Sequence, residues 1–74
     1  MITNRYEKGD KYLDLEMYSI RYIDEDGMFI TEECWECLIY PKKGVPSEGQ
    51  FVEFASETLA RMFVVQNEWK EQVL

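Results

Sequence analysis

The residues with the most evident chemical potential are the two cysteines, set as Cys34-Trp35-Glu36-Cys37. That spacing serves a redox pair when the first thiol caps a helix and is held there as the thiolate. It also serves as half of a zinc site, completed by a second such knuckle or a pair of histidines. The chain has no histidine and no other cysteine. On a strand, positions i and i+3 point to opposite faces and the sulfurs diverge; on a helix they share a face. Neighbouring glutamates raise a thiol pKa rather than lower it. The favoured reading is therefore two small apolar side chains in the interior, with metal or redox use of Cys34 and Cys37 kept as an alternative.

The carboxylates offer three patterns. Asp24-Glu25-Asp26-Gly27 echoes the start of a calcium loop, but the twelfth position, where a bidentate glutamate belongs, is Trp35. The same letters make a hairpin turn, because Asp and Gly supply its hydrogen bonds and its left-handed position. Asp14 and Glu16, two apart, share one face of a strand, and acid/base or metal chemistry there needs a cleft that shifts their pKa values. A small single-core domain has little room for one, and the adjacent Leu13 and Leu15 make 14 and 16 the wet side. Glu68-Trp69-Lys70 matches a nuclease-like string but falls in a segment read as helix. Ser19, Ser47 and Ser56 have no histidine to activate them. No glycine-rich phosphate loop is present. No catalytic residue, metal site or cofactor is expected, and the chain is not read as an enzyme.

One combination remains. The net charge is −7, and all of it falls between Asp10 and Glu36, where nine acids stand against two bases; the rest of the chain is balanced. Direct binding of nucleic acid needs a surplus of Lys and Arg, so that class is excluded. The acids Asp14, Glu16, Asp24, Glu25, Asp26, Glu32, Glu33 and Glu36 are interleaved with rings, of which Tyr18, Tyr22 and Trp35 are the candidate contacts. Carboxylates steer a basic partner, and Tyr and Trp are enriched where binding energy concentrates. Tyr12 and Phe29 complete the aromatic set, of which about two are expected outside the core, since alternation sends part of each strand outward.

These residues must be positioned by a short chain. Seventy-four residues make one domain, which buries only about 60% of its unfolded surface. The core is well supplied, with 46% hydrophobic and 15% aromatic residues, so a folded protein is expected rather than a disordered one. Met1-Ile2-Thr3-Asn4-Arg5 carries no apolar signal segment, and no apolar run nears the roughly 18 residues of a membrane span. A cytoplasmic protein is expected, in the host cytoplasm if phage-encoded.

Residues 1–9 read as a polar lead-in. Residues 10–40 read as an acidic β-hairpin region turning at Asp24–Gly27. In its first strand the apolar set is Leu13, Leu15 and Met17 and then changes parity to Tyr18, Ile20 and Tyr22. Either a bulge flips the strand there, or both faces are partly covered. For 32–40 a strand is preferred over a helix because Pro41 forces Tyr40 toward extended geometry. Residues 41–49 form the main loop and 50–54 a short strand. Ser56 caps an amphipathic helix over 56–73, with Ala55, Leu59, Met62, Val65, Trp69 and Val73 on its buried stripe, Phe63 on the flank and Val64 outward. The runner-up ends the helix near Phe63 and makes 63–66 a final strand.

The expected class is α+β: a single domain with an antiparallel sheet of three to four strands and one C-terminal helix packed on a face. The expected function is a small acidic protein-binding module. Its partner would be a larger protein with a basic surface, such as a nucleic-acid-binding complex. Tiny acidic domains without catalytic groups recur among phage-encoded antagonists of host enzymes and defence systems, anti-CRISPR proteins and DNA mimics included, which suggests an inhibitor. The alternative is a homo-oligomeric assembly protein, and a homodimer is left open.

Overall fold

The structure, a computed structural model, describes residues 2–72. Its elements in chain order are β1 (Ile2–Lys8), β2 (Lys11–Ile23), β3 (Phe29–Pro41), a 3₁₀ turn at Pro46–Glu48, β4 (Gln50–Phe54), α1 (Glu57–Gln66) and β5 (Lys70–Gln72). The strands form one sheet in the order β4-β3-β2-β1-β5, with every neighbour antiparallel. The α+β class holds, with five strands in place of three to four.

The sheet is built on the long hairpin of β2 and β3, whose thirteen residue pairs run from Lys11↔Pro41 to Ile23↔Phe29 without a shift. The turn between them is closed by Asp24, whose Oδ1 accepts the amides of Asp26 and Met28, each at 2.9 Å. Gly27 takes φ 78, the left-handed position this turn needs. The expected hairpin and its Asp24–Gly27 turn are in place, and so is the strand reading of 32–40.

The residues read as a lead-in are β1. Tyr6 is buried opposite Leu13, and Thr3 bulges to donate its hydroxyl to the Leu15 carbonyl at 3.0 Å. Gly9, at φ 59, opens the two-residue turn that returns the chain into β2. At the other edge, the loop over 41–49 folds back on β3. A Cβ on Gly49 would stand 2.7 Å from the Ile39 carbonyl oxygen, so only glycine fits there.

The helix differs most from expectation. Ser56 is its N-cap, accepting the Leu59 amide at 3.3 Å. It ends at Gln66 rather than 73. Asn67 returns its amide to the Phe63 carbonyl, and Glu68 adopts φ 61, a position glycine usually fills at helix ends. Trp69 then turns into the core, and Lys70–Gln72 pairs with β1 as β5. Residues 63–66 are therefore helical, not a strand, and Val73 lies outside the described residues.

The buried stripe is also rotated. Ala60 and Val64 face the sheet, with Val64 at 2% exposure, and Phe63 packs beside them against Phe54. Ala55, Leu59, Met62 and Val65 are exposed. Six of the ten residues of α1 are apolar, so more than one stripe satisfies helical periodicity. The one chosen is the one a helix must present while crossing the sheet from edge strand β4 to edge strand β5.

Cross-strand partners share a face, so the register assigns every residue of the hairpin. The helix face carries Leu13, Leu15, Met17, Trp35, Cys37 and Ile39, which with Tyr6, Ala60, Val64 and Trp69 make the core. The opposite face, buried at its base and open to solvent toward the hairpin tip, carries Tyr12, Asp14, Glu16, Tyr18, Ile20 and Tyr22 against Tyr40, Leu38, Glu36, Cys34, Glu32 and Ile30. The parity change at Met17–Tyr18 needs no bulge. Apolar residues line the helix face up to Met17 and the open face beyond it.

Candidate functional site: the open face and the hairpin arm

Beyond Met17 and Trp35 the hairpin leaves the body of the domain. Among the described residues neither β1 nor β4 follows it, since β1 pairs with β2 only as far as Glu16 and β4 with β3 only over Trp35–Ile39. Six residue pairs, from Tyr18↔Cys34 to Ile23↔Phe29, form a two-stranded arm about 20 Å long. The molecule measures 48 × 24 × 20 Å, and its radius of gyration of 14.4 Å exceeds the roughly 11 Å of a compact chain this size. The projecting arm accounts for the difference.

The open face divides into three zones from the base to the tip. At the base lies a polar knot. Asp14, 1% exposed, accepts a bidentate pair from Arg5 (Nε–Oδ1 2.7 Å, Nη2–Oδ2 3.2 Å) and the Tyr40 hydroxyl at 3.0 Å. Arg5 and Lys42 both lie over the Tyr12 ring at 5.4 Å, and Lys42 pairs with Glu7 at 3.2 Å. The hydrogen bond to Asp14 raises the Arg5 pKa, and burial followed by the Asp14 bond raises that of Tyr40. Asp14 is thus not on the wet side. Its charge is matched by Arg5, and it belongs to the fold rather than to an exposed acidic surface. Sequence spacing alone hides this, because Arg5 reaches Asp14 only through the β1–β2 register.

The middle zone is a row of carboxylates. Glu16, Glu36 and Glu53 sit side by side on β2, β3 and β4. Partial burial, then the charges of Glu16 and Glu53, push the Glu36 carboxyl above its usual range. Like charges directly opposite on a sheet cost stability, so this row is kept at a cost. Glu53 joins the other two only through the pairing of β3 with β4, which local sequence does not reveal. Among the described residues no three acidic or sulfur side chains are placed to hold a metal ion.

The outer zone is the arm. On its open face Tyr18, Ile20, Tyr22 and Ile30 are interrupted by Glu32, whose Oε1 accepts the Tyr22 hydroxyl at 2.7 Å. On its other face Ser19 lies against Glu33, Arg21 against Thr31 and Ile23 against Phe29, the last 83% exposed. Glu25 and Asp26 are exposed at the tip, while Asp24 is half-buried in the turn. Tyr18 and Tyr22 are exposed, but Trp35 is 8% exposed in the core and is not available as a surface contact. Its parity with Leu13 and Leu15 across the ladder dictates that. Three of the five rings, Tyr18, Tyr22 and Phe29, are exposed rather than two. Ile20, Ile23, Met28 and Phe29 were missing from the sequence-derived contact set; the parity change at Met17 was the signal for Ile20.

The cysteines diverge, as a strand requires. Cys37 is fully buried on the helix face and Cys34 half-buried on the open face. Burial pushes the Cys37 thiol up to about 11, with Glu36 adding to it. Glu68, Trp69 and Lys70 fall on a helix end, a core position and the start of β5. Among the described residues no helix is long and apolar enough to cross a membrane. No protein-family model, curated protein or solved structure matches the chain.

Proposed function

We propose that the protein is a non-catalytic, acidic binding module that uses its hairpin arm to occlude a basic surface of a larger protein. The observation that supports this is the arm itself, which carries exposed tyrosines, a phenylalanine and five of the chain's acids clear of the packed body. An arm of two strands adds little to stability, so its length and apolar surface call for a role outside folding. Carboxylates steer a basic partner, and Tyr18, Tyr22 and Phe29 supply contact area once docked. A surface that normally neutralises phosphates is the chemistry such an arm competes for, which makes an inhibitor of a nucleic-acid-binding protein, of the anti-CRISPR or host-enzyme antagonist kind, the leading role.

The test is affinity capture from host lysate, followed by binding kinetics on the retained protein. Affinity should fall steeply with salt, and changing Asp24, Glu25 and Asp26 together to amides should slow association by about tenfold or more. Affinity indifferent to salt and to the triple change would sink the electrostatic reading. A homo-oligomeric assembly protein is the second reading, favoured by exposed Leu59, Met62 and Val65 on the outer side of α1. Sedimentation of the purified chain at micromolar concentration as a stable oligomer would select it.

A further inference from the structure

The outer edge of β3 between Phe29 and Cys34 has no strand beside it among the described residues, because β4 begins its pairing at Trp35. An open edge is a row of unpaired amides and carbonyls ready to template another strand. Proteins blunt such edges with proline, bulges or charge. Phe29-Ile30-Thr31-Glu32-Glu33-Cys34 contains no proline, and its register with β2 is unbroken. Only charge guards it. Glu32 lies on the open face and Glu33 on the helix-side face, and both are exposed.

Charge of one sign filters rather than closes. A second copy of this chain laid against the edge would bring Glu32 and Glu33 against their own kind, in an arm where Arg21 is the one base and like charges directly opposite are destabilising. A strand with basic side chains meets the opposite condition. Successive residues of a strand point to opposite faces, so two adjacent Lys or Arg residues would place one side chain beside Glu32 and the next beside Glu33. Toward the tip, the same guest strand would run beside Ile30 on the open face and Phe29 on the other. Apolar or β-branched residues suit both places.

We infer that this edge takes an extended segment of the partner protein carrying two adjacent basic residues, added to the sheet as a strand in line with β4. The inference rests on the proposed reading of a basic partner and sharpens it. Recognition comes from backbone pairing, and the glutamates select the side chains. The mode is strand addition, in which main-chain hydrogen bonds give affinity and alternate side chains give specificity.

The test uses a fluorescein-labelled peptide of about ten residues, a Lys-Arg pair set in Thr, Val and Ile, against the full chain. A second peptide carries the same residues with its central amides N-methylated, which keeps the charge and removes the donors. The parent peptide should bind, N-methylation should weaken it at least about tenfold, and the Glu32→Gln/Glu33→Gln double variant should weaken it by a similar factor. Amide hydrogen exchange should slow at alternate positions between Phe29 and Cys34 when the parent peptide is bound. Equal, salt-sensitive binding of both peptides overturns strand addition while leaving the basic-partner reading intact. No binding of the parent peptide overturns the inference outright. Protection of the same amides in a peptide-free dimer would assign the edge to a second copy instead. Loss of the basic-partner reading has its own signature, a captured partner whose affinity ignores salt and the tip acids.

Discussion

The two halves of one hairpin have opposite fates. In the lower half of β2 and β3, Leu13, Leu15 and Cys37 are wholly excluded from solvent beneath α1. In the upper half, Tyr18, Ile20, Tyr22, Ile23 and Phe29 are exposed, although the ladder is continuous and the residue types are as strand-prone. Local preference makes both halves strands. Only the lower half has a helix to cover its apolar side. The upper half, a hairpin that would be marginal by itself, is held in register by continuity with the lower one.

That contrast can be broken by mutation. Leu15→Ala empties a fully buried position and should cost about 3 to 4 kcal/mol in denaturant unfolding, whereas Ile20→Ala in the arm should stay within about 0.5 kcal/mol. Equal losses would mean the arm is packed in solution. Next in size is Arg5→Ala, which leaves the Asp14 carboxylate buried without its cation and should cost about 3 kcal/mol. A double change of Arg5 and Asp14 to apolar residues, made together with Tyr40→Phe so that no buried hydroxyl loses its acceptor, should recover most of that loss, and failure to recover would remove the polar knot as its cause.

The cysteines separate the halves chemically. A thiol reagent applied to the native protein should label Cys34 and spare Cys37, and Cys34→Ser should abolish native-state labelling. Cys37 also predicts a pH response. Its folded pKa of about 11 lies above the ordinary 9.0, so the stabilisation it brings is complete below about 9 and declines as pH rises toward 11. Cys37→Ala should flatten that decline, as read from unfolding midpoints across the range.

The smallest effect concerns the boundary between the halves. Glu36→Gln should stabilise by about 0.5 to 1 kcal/mol near neutral pH, because it removes the middle charge of the Glu16–Glu36–Glu53 row. The sign follows from its raised carboxyl pKa. The favourable contribution of protonated Glu36 is present at low pH and lost as pH rises through its folded value, so the advantage of the amide should vanish on acidification. An unchanged difference at both ends would show that the row carries no mutual repulsion. If the same variant weakens partner binding, the row is a contact as well as a cost.

Much of the framework was legible in the sequence. Alternation along Lys11–Ile23, the Asp24–Gly27 turn chemistry and the Gln50–Phe54 run lead directly to β2, β3 and β4. Two strands were not, for a shared reason: Ile2–Lys8 and Lys70–Gln72 are mostly polar, and they pair because Tyr6 and Trp69 anchor them to a core assembled elsewhere. The helix register was hidden by apolar residues on more than one of its faces. Of the candidate site, Glu25 and Asp26 at the tip and Tyr18 and Tyr22 on the arm were readable as surface from local sequence. Asp14 and Trp35 were misplaced because their burial depends on cross-strand neighbours, Arg5 for one and Met17 for the other, which only the register reveals.

The unbroken pairing of β2 with β3 also makes reach an adjustable quantity. Because no bulge fixes the arm at any point, Ser19-Ile20 and their opposites Glu32-Glu33 could be removed together without inverting any remaining side chain. Each such removal would draw the tip in by about 7 Å, and each matched insertion would push it out by the same step. The domain below would keep its core throughout, so the arm can be lengthened or shortened in whole steps, like a ruler, while the fold beneath it stays the same.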